Sequence, residues 1–427
     1  MIKPSDILGM NARERLYTSR NTKTARSICA SKYATKVLMQ NHNIPTAEIY
    51  GILATNEDVN DFEWAKLLKN FVIKPTNGNA GKGVVAFRSQ QPDGQHWLDM
   101  LGKTWSLDDI KLLCFDILEG QYSTYGGQHN IIVEERIPIH SSLQKYTYKG
   151  TPDVRVIVFN QVPVMAMLRL PTAESEGRAN VTQGAIGLGV DMATGITTHA
   201  VAHKNHLITH LPGTKYKLNG IKIPNWAALL KIAVDAATAA NLPFSGVDMF
   251  IHEEKGPIVV ELNANPGLSI QNANQAGLRR RLERVEDLNV RDSEHGVKIS
   301  QALFAERFAD KIKAKEGLTV ITAKEIVSIM GQAKTELEIT ALINTGRFRS
   351  IIASNLANQL GLIDLDDLLW FQTEQGEGKI PVVEVRFKLK DQKIKTAMLV
   401  SKKLNSSKHK LEIGRQDLAN FLVSSGE

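Results

Sequence analysis

Cysteine is scarce. The 427-residue chain has two, Cys29 and Cys114, far apart and in no CxxC pair. That excludes a disulfide scaffold and fits a reducing compartment. No HExxH and no Cys/His cluster occurs, so no zinc site is indicated. No apolar run approaches the ~18 residues of a membrane span. The opening MIKPSDILGMNARERLY has no continuous apolar core of the signal-peptide kind. A cytoplasmic protein without a membrane partner is expected. Aromatics are 6% of residues, and the basic stretches GLRRRLERVE (277–286) and KLKDQKIK (388–395) do not interleave rings with charge. Nucleic acid is therefore not expected as a partner. Internal repeats and low-complexity tracts are absent.

What is present is ordinary for a folded chain: 43% hydrophobic and 23% charged residues. At ~100–200 residues per domain the length suggests two to four domains. The net charge of +7 is either a bland surface excess or a preference for an anionic partner.

ASKYATKVLMQNHN (30–43) has helical periodicity, with Ala34, Val37, Leu38 and Asn41 expected on one side. DVNDFEWAKLL (58–68) predicts a helix capped by Asp61. FVIKP is a strand stopped by Pro75, and HNIIVEERIP is another that ends at Pro138. VRVIVFNQVPVMAMLRL predicts a hairpin turning at Asn160 and Gln161, and SGVDMFIHEEKGPIVVELNANPG a second turning at Glu254 to Gly256. WAALLKIAVDAATAAN, between them, is strongly helical. From about residue 319 the chain changes to short β segments. The expectation is an α+β protein followed by a small all-β domain. The divisions are a short N-terminal lobe (1–70), a Gly-loop and hinge lobe (71–150), a metal-site lobe (151–290), a helical linker (291–318) and a β domain (319–427).

Chemistry concentrates in four places. In FVIKPTNGNAGKGV a strand delivers Lys74 to a loop with Gly78, Gly81 and Gly83, whose exposed N–H groups suit phosphate oxygens. A flexible hairpin would look the same in isolation. IIVEERIP brings Glu134 and Glu135 to a strand end, with Ile137 beyond, as an adenine hinge or as a solvated strand end. Asp248, Glu261 and Asn263 offer oxygen ligands from two strands, the last two on one face, as hard Mg2+ requires. Arg155, Arg169 and Asn180 add donors where negative charge would develop in phosphoryl transfer.

In that order, these stretches resemble the ATP-grasp superfamily of carboxylate–amine ligases, most of all the alpha-L-glutamate ligase-like (RimK-type) proteins, over residues ~5 to ~285. The resemblance implies an ATP-grasp fold, two α+β lobes gripping ATP. It implies that Lys32, Lys74, Gly78, Gly81, Gly83, Glu134, Glu135 and Ile137 bind the nucleotide. Arg155, Arg169 and Asn180 would serve catalysis, and Asp248, Glu261 and Asn263 would hold two Mg2+, with Mn2+ as an alternative. The implied reaction converts a carboxylate to an acyl phosphate, which an amine attacks to give an amide, ADP and phosphate, glutamate or another amino acid being added to an amino acid or peptide. A non-catalytic ATP-gated scaffold and a small-molecule kinase are the alternatives. The family pattern has Asp where Ser31 stands and Arg where Asn265 stands. LEITALINTGRFRSIIASNLANQLGL (337–362) resembles retropepsin-like domains of the ATP-dependent zinc protease family, with Asn344-Thr345-Gly346 in place of Asp-Thr-Gly. That implies an inactive protease-like domain and a homodimer formed through it.

Overall fold

The apolar runs of the first two-thirds of the chain become two antiparallel sheets. The smaller consists of β1 (Ile49–Leu53), β2 (Phe71–Pro75), β3 (Val85–Gln90), β4 (His96–Asp99), β5 (Thr104–Ser106) and β6 (Ile131–Glu135), in the order β1-β6-β2-β3-β4-β5. Its core is aromatic: Phe71 stacks on Phe87 at 4.5 Å, with Trp64 and Trp97 beside them. The larger sheet has β7 (Asp153–Phe159), β8 (Val162–Leu170), β9 (Ile186–Val190), β10 (Thr197–Val201), β11 (Leu207–Ile208), β12 (Phe244–His252) and β13 (Gly256–Asn263), in the order β11-β10-β9-β8-β7-β12-β13. Every residue of β7 and β8 is buried, which is why both read as nearly continuous apolar runs.

This computed structural model describes residues 3–67, 70–77, 82–122, 129–202, 205–305, 319–331, 335–364, 368–374, 376–419 and 421–424. The chain forms two units, Met1–Asp287 and Leu288–Glu427.

Turn chemistry follows the sequence closely. Asn160 and Gln161 both take positive φ, 48° and 59°, joining β7 to β8 as a two-residue hairpin of this twist demands. The second hairpin pairs His252 with Gly256, and Gly256 has φ 73°.

Two helices differ from expectation. The helix Asn56–Asp61 ends at the residue expected to begin one. Its cap is Thr55, whose hydroxyl accepts from the Asp58 N–H while Asp58 reaches back to Thr55 N–H; Phe62 then leaves the helix to pack against Trp64. The helix Lys32–Asn41 buries Thr35, Lys36 and Met39, with Asn41 exposed. A lysine occupies a core position there, which apolar periodicity cannot anticipate.

The second unit begins with the helix Ser293–Phe304, expected as the start of a linker; His295 Nε2 bonds the Leu369 carbonyl at 2.7 Å. The rest of that linker, 306–318, lies outside the described residues. The unit is otherwise mostly β: a parallel pair, β14 (Thr319–Ile321) with β22 (Phe421–Val423), and a sheet of β15 (Lys324–Met330), β16 (Glu336–Asn344), β17 (Ile351–Ala353), β18 (Leu368–Glu374), β19 (Gly378–Leu389), β20 (Gln392–Ser401) and β21 (Leu411–Gly414). The order is β15-β16-β21-β17-β20-β19-β18, and β15 also pairs with β19, so the sheet curls into a small barrel-like domain.

Candidate active site

Within the first unit, a cavity of about 770 Å3 is lined by residues of both sheets, among them Lys74, Glu134, Arg155, Arg169 and Glu261, and by Lys32 from the helix Lys32–Asn41. Asn180, Asp248, Asn263, Glu135 and Ile137 line it too, so most of the expected site residues converge on one cleft. Gly78 and Gly81 lie outside the described residues.

One end is cationic. The β2 strand carries Lys74 and the neighbouring β6 carries Glu134; Lys74 Nζ stands 2.6 Å from Glu134 Oε1. Lys36, from the helix Lys32–Asn41, takes the other carboxylate oxygen at 2.9 Å. Burial pushes the Glu134 carboxyl up, but Lys74 and Lys36 outweigh it and hold the group below its ordinary value. Lys32 sits next to this cluster. Burial lowers its ammonium from the usual lysine value, opposed by the charge of Glu261. Ser31 caps the helix, accepting from Ala34 N–H at 3.2 Å, so the hydroxyl fills the capping role an aspartate would have.

Beyond the lysines lies an apolar slot. Ala47, Ile137 and Ile258 are buried together with Phe250 against them. Glu135 stands at its edge, tied to Lys255 at 2.6 Å and to the Glu48 main chain. This is an apolar wall next to strand-end backbone, the environment a purine base needs.

The opposite end is an arginine–aspartate network. The register of the sheet creates it: Asp153 lies across from Arg169, Arg155 across from Asp248, and Asp248 across from Glu261. Arg155 grips Asp248 with two bonds, Nε to Oδ1 at 2.7 Å and Nη2 to Oδ2 at 2.6 Å. Arg169 Nε donates to Asp153 Oδ1 at 2.5 Å, and its Nη2 donates to Asp153 Oδ2 and, at 2.8 Å, to Asp248 Oδ2. Burial raises Asp248, but Arg155 and Arg169 win and hold it down at about 2. Asp153 is pushed up to about 6: burial raises it, Arg169 opposes, and the Asp248 charge adds to burial. The two carboxylates share one guanidinium, so the second to ionise meets the charge of the first.

These shifts have opposite signs in pH. Asp248 contributes stability that is complete above about pH 4 and is lost as pH falls toward 2. Asp153 binds its proton more tightly when folded, so its contribution declines as pH rises from about 4 through about 6. Asp153→Asn should remove that decline. Urea unfolding at pH 4 and pH 7 should show the wild type losing stability relative to the variant across that interval.

Between the two ends stand Glu261 and Asn263, two residues apart on β13 and both facing the cleft. Asn263 Oδ1 accepts from Asn265 N–H at 3.0 Å, which fixes the amide with its oxygen identified. A carboxylate and an amide oxygen on one strand face suit a hard divalent cation. Asp248 is differently engaged: three N–H groups already use its oxygens, leaving about one of four lone-pair directions. Asn180 caps the short helix Val181–Gln183 through bonds to Thr182, 3.1 Å to its N–H and 2.7 Å to its hydroxyl.

Gly83 has φ 70°, and a Cβ there would come within 2.8 Å of the Tyr122 ring. Gly83→Ala should therefore cost about 1–2 kcal/mol and displace its neighbours Lys82 and Val84 at the cleft wall. Thermal melts with and without nucleotide would show both a lower melting point and a smaller ligand-induced rise.

Two cleft residues escaped the motif reading. Asp153 stands two residues before Arg155, so the period-2 rule that paired Glu261 with Asn263 would have found it. Lys36 stands one helical turn after Lys32, a spacing whose signal was hidden by the search for apolar residues.

The family model for sugar-transfer associated ATP-grasp proteins matches residues 11–287. Among solved structures, the ATP-grasp ligase PsnB complexed with its minimal precursor is similar, at 14% identity over 62% of this chain and 63% of that one, TM-score 0.36. The D-alanine–D-alanine ligase of Bacillus anthracis complexed with ATP is 15% identical over 70% and 71% of the two chains, TM-score 0.35. The VanG D-Ala:D-Ser ligase of Enterococcus faecalis is 16% identical over 62% and 63%, TM-score 0.35. The chain thus spans less than two thirds of the PsnB chain. A search of curated protein sequences finds no match. Among the described residues, no helix is long and apolar enough to cross a membrane.

Proposed function

The chain belongs to the sugar-transfer associated ATP-grasp family, and from that premise we propose that it is an ATP-dependent carboxylate–amine ligase. The observation that carries this reading is the single cleft holding, in sequence, an apolar slot, a buried lysine cluster, the Glu261–Asn263 pair and the arginine–aspartate network. The base would lie in the slot by Ile137, with Glu135 at its edge. Lys32 and Lys74 would hold the phosphates. Glu261 and Asn263 fit Mg2+, with Asp248 contributing through its remaining lone pair. Mg2+ would neutralise phosphate charge and polarise the γ-phosphoryl group.

The chemistry is two displacements. A carboxylate oxygen of the acid substrate attacks the γ-phosphorus of ATP, the bond to the β-phosphate oxygen breaks, and ADP leaves. An amine then attacks the acyl carbon of the acyl phosphate, loses a proton, and expels phosphate as the amide forms. Arg155 and Arg169 stand, desolvated, where negative charge builds in both steps, and Asp153 and Asp248 keep their forks oriented. Asn180 lines the same cleft. No side chain need act as nucleophile; positioning and fixed charge do the work. The neighbours named as ATP-grasp, D-Ala–D-Ala and D-Ala:D-Ser ligases support this reaction class. An amino acid or peptide as acceptor, glutamate as the added group, and a RimK-type specificity extend it.

The test is ADP and phosphate release by the full chain with Mg-ATP and a panel of amino acids and short peptides, with products identified by mass. Turnover that needs both an acid and an amine and yields an amide mass supports the ligase. A stable phosphate ester supports a kinase, and nucleotide binding without turnover across the panel supports a scaffold.

The second unit we propose to be a protease-like module without proteolytic activity. Asn344 donates its amide N–H to Glu412 Oε2 at 3.0 Å and accepts from Arg347 N–H, so the position is used structurally. Asn344→Asp should place two carboxylates in contact. The expected result is a loss of about 1–3 kcal/mol at pH 7, recovered on acidification as one of the pair protonates. Urea unfolding at pH 7 and pH 5 would measure it, and peptidase activity is expected in neither protein.

A further inference from the structure

We infer that Lys36 is a positioning residue for nucleotide binding: it acts through Glu134 to set how much of Lys74 is available to a phosphate. The inference rests on reading the cleft as an ATP site.

Lys36 is 1% exposed on a helix face that otherwise buries Thr35 and Met39. A buried ammonium loses its hydration, and an apolar side chain would fill a purely structural position at lower cost. Burial lowers the Lys36 ammonium below the ordinary lysine value despite the charge of Glu134. One hydrogen bond and one ion pair account for its position. The hydrogen bond goes to the Ala47 carbonyl at 3.1 Å and fixes the ammonium against the segment before β1. The ion pair with Glu134 Oε2 at 2.9 Å then holds that carboxylate from behind, while Oε1 faces Lys74 at 2.6 Å.

Charge decides the consequence. Two lysines share one buried carboxylate, leaving one net positive charge on the cluster. Without Lys36 the Glu134–Lys74 pair is neutral. Among the described residues Glu134 then keeps Lys74 alone as an ion-pair partner and competes for it with the incoming phosphate. The loss of one buried ion pair behind Lys74 predicts roughly tenfold weaker nucleotide binding.

The test is calorimetric titration of the full chain with Mg2+ and AMPPNP, using wild type, Lys36→Met, Glu134→Gln and the double variant. Lys36→Met should bind roughly tenfold more weakly. In the Glu134→Gln background the same change should have little effect, because the path through Glu134 is gone. Lys36→Arg should recover most of the affinity by restoring the charge. A merely structural role would lower the melting point of Lys36→Met without this dependence on Glu134. If Lys36→Met does not fold, Lys36→Gln carries the same expectation. Equal losses in both backgrounds, or wild-type affinity in the single variant, would overturn the inference alone. A wild type that binds no nucleotide would overturn the ATP-site reading and this inference with it.

Discussion

Asp248→Ala is expected to cost about 3–5 kcal/mol of folding free energy, the largest stability effect of any single change at the cleft. The reason is what remains behind. Asp248 is 3% exposed and accepts three N–H groups, two from Arg155 and one from Arg169. Among the described residues Arg155 has no other side-chain partner at hydrogen-bond distance, so this buried guanidinium would keep its charge uncompensated. Arg169 keeps Asp153 and is hurt less. Replacing both Arg155 and Asp248 by apolar residues should therefore be far milder than removing Asp248 alone. Urea unfolding of the two variants measures the contrast. Equal losses would mean that the network contributes through packing rather than through charge.

Glu261→Gln is expected to lower turnover by at least about a hundredfold while leaving the fold intact. Glu261 is half-buried on β13, directly across from Asp248, with the charge of Lys32 near it from the cationic end of the cleft. The change conserves volume and removes one negative charge, so melting should move little. Nucleotide binding with Mg2+ should weaken, whereas binding of the metal-free nucleotide should not, since a phosphate near Lys32 gains when an adjacent carboxylate is removed. Single-turnover ADP formation and titrations with and without Mg2+ separate these effects. Unchanged turnover would remove Glu261 from the reacting centre.

The sequence made the hairpins and the polar strand residues legible because both follow short-range rules. Asn160-Gln161 and Gly256 are turn chemistry, and Glu261 and Asn263 share a face by the two-residue repeat of a strand. Arg155 and Arg169 could be singled out, but not their partners. The contact of Arg169 with Asp153 depends on cross-strand register, which no local pattern fixes. Lys36 was hidden by its own type, since a charged residue in a helix is ordinarily assigned to solvent. The helix Asn56–Asp61 was displaced because Thr55 with Asp58 makes a better capping pair than Asp61 makes alone. In the second unit the composition announced β structure, while the curling of the sheet depends on the β15–β19 pairing between residues some sixty positions apart.

The most direct test of the central claim follows one oxygen atom. An acid that supports turnover is labelled with 18O in its carboxylate and supplied with Mg-ATP and its amine, and the inorganic phosphate is analysed by mass. Ligation through an acyl phosphate moves one carboxylate oxygen into phosphate at each turnover, so phosphate carrying one 18O is the predicted result. Unlabelled phosphate formed at the same rate would show that water, not the carboxylate, attacks ATP, and would contradict the account.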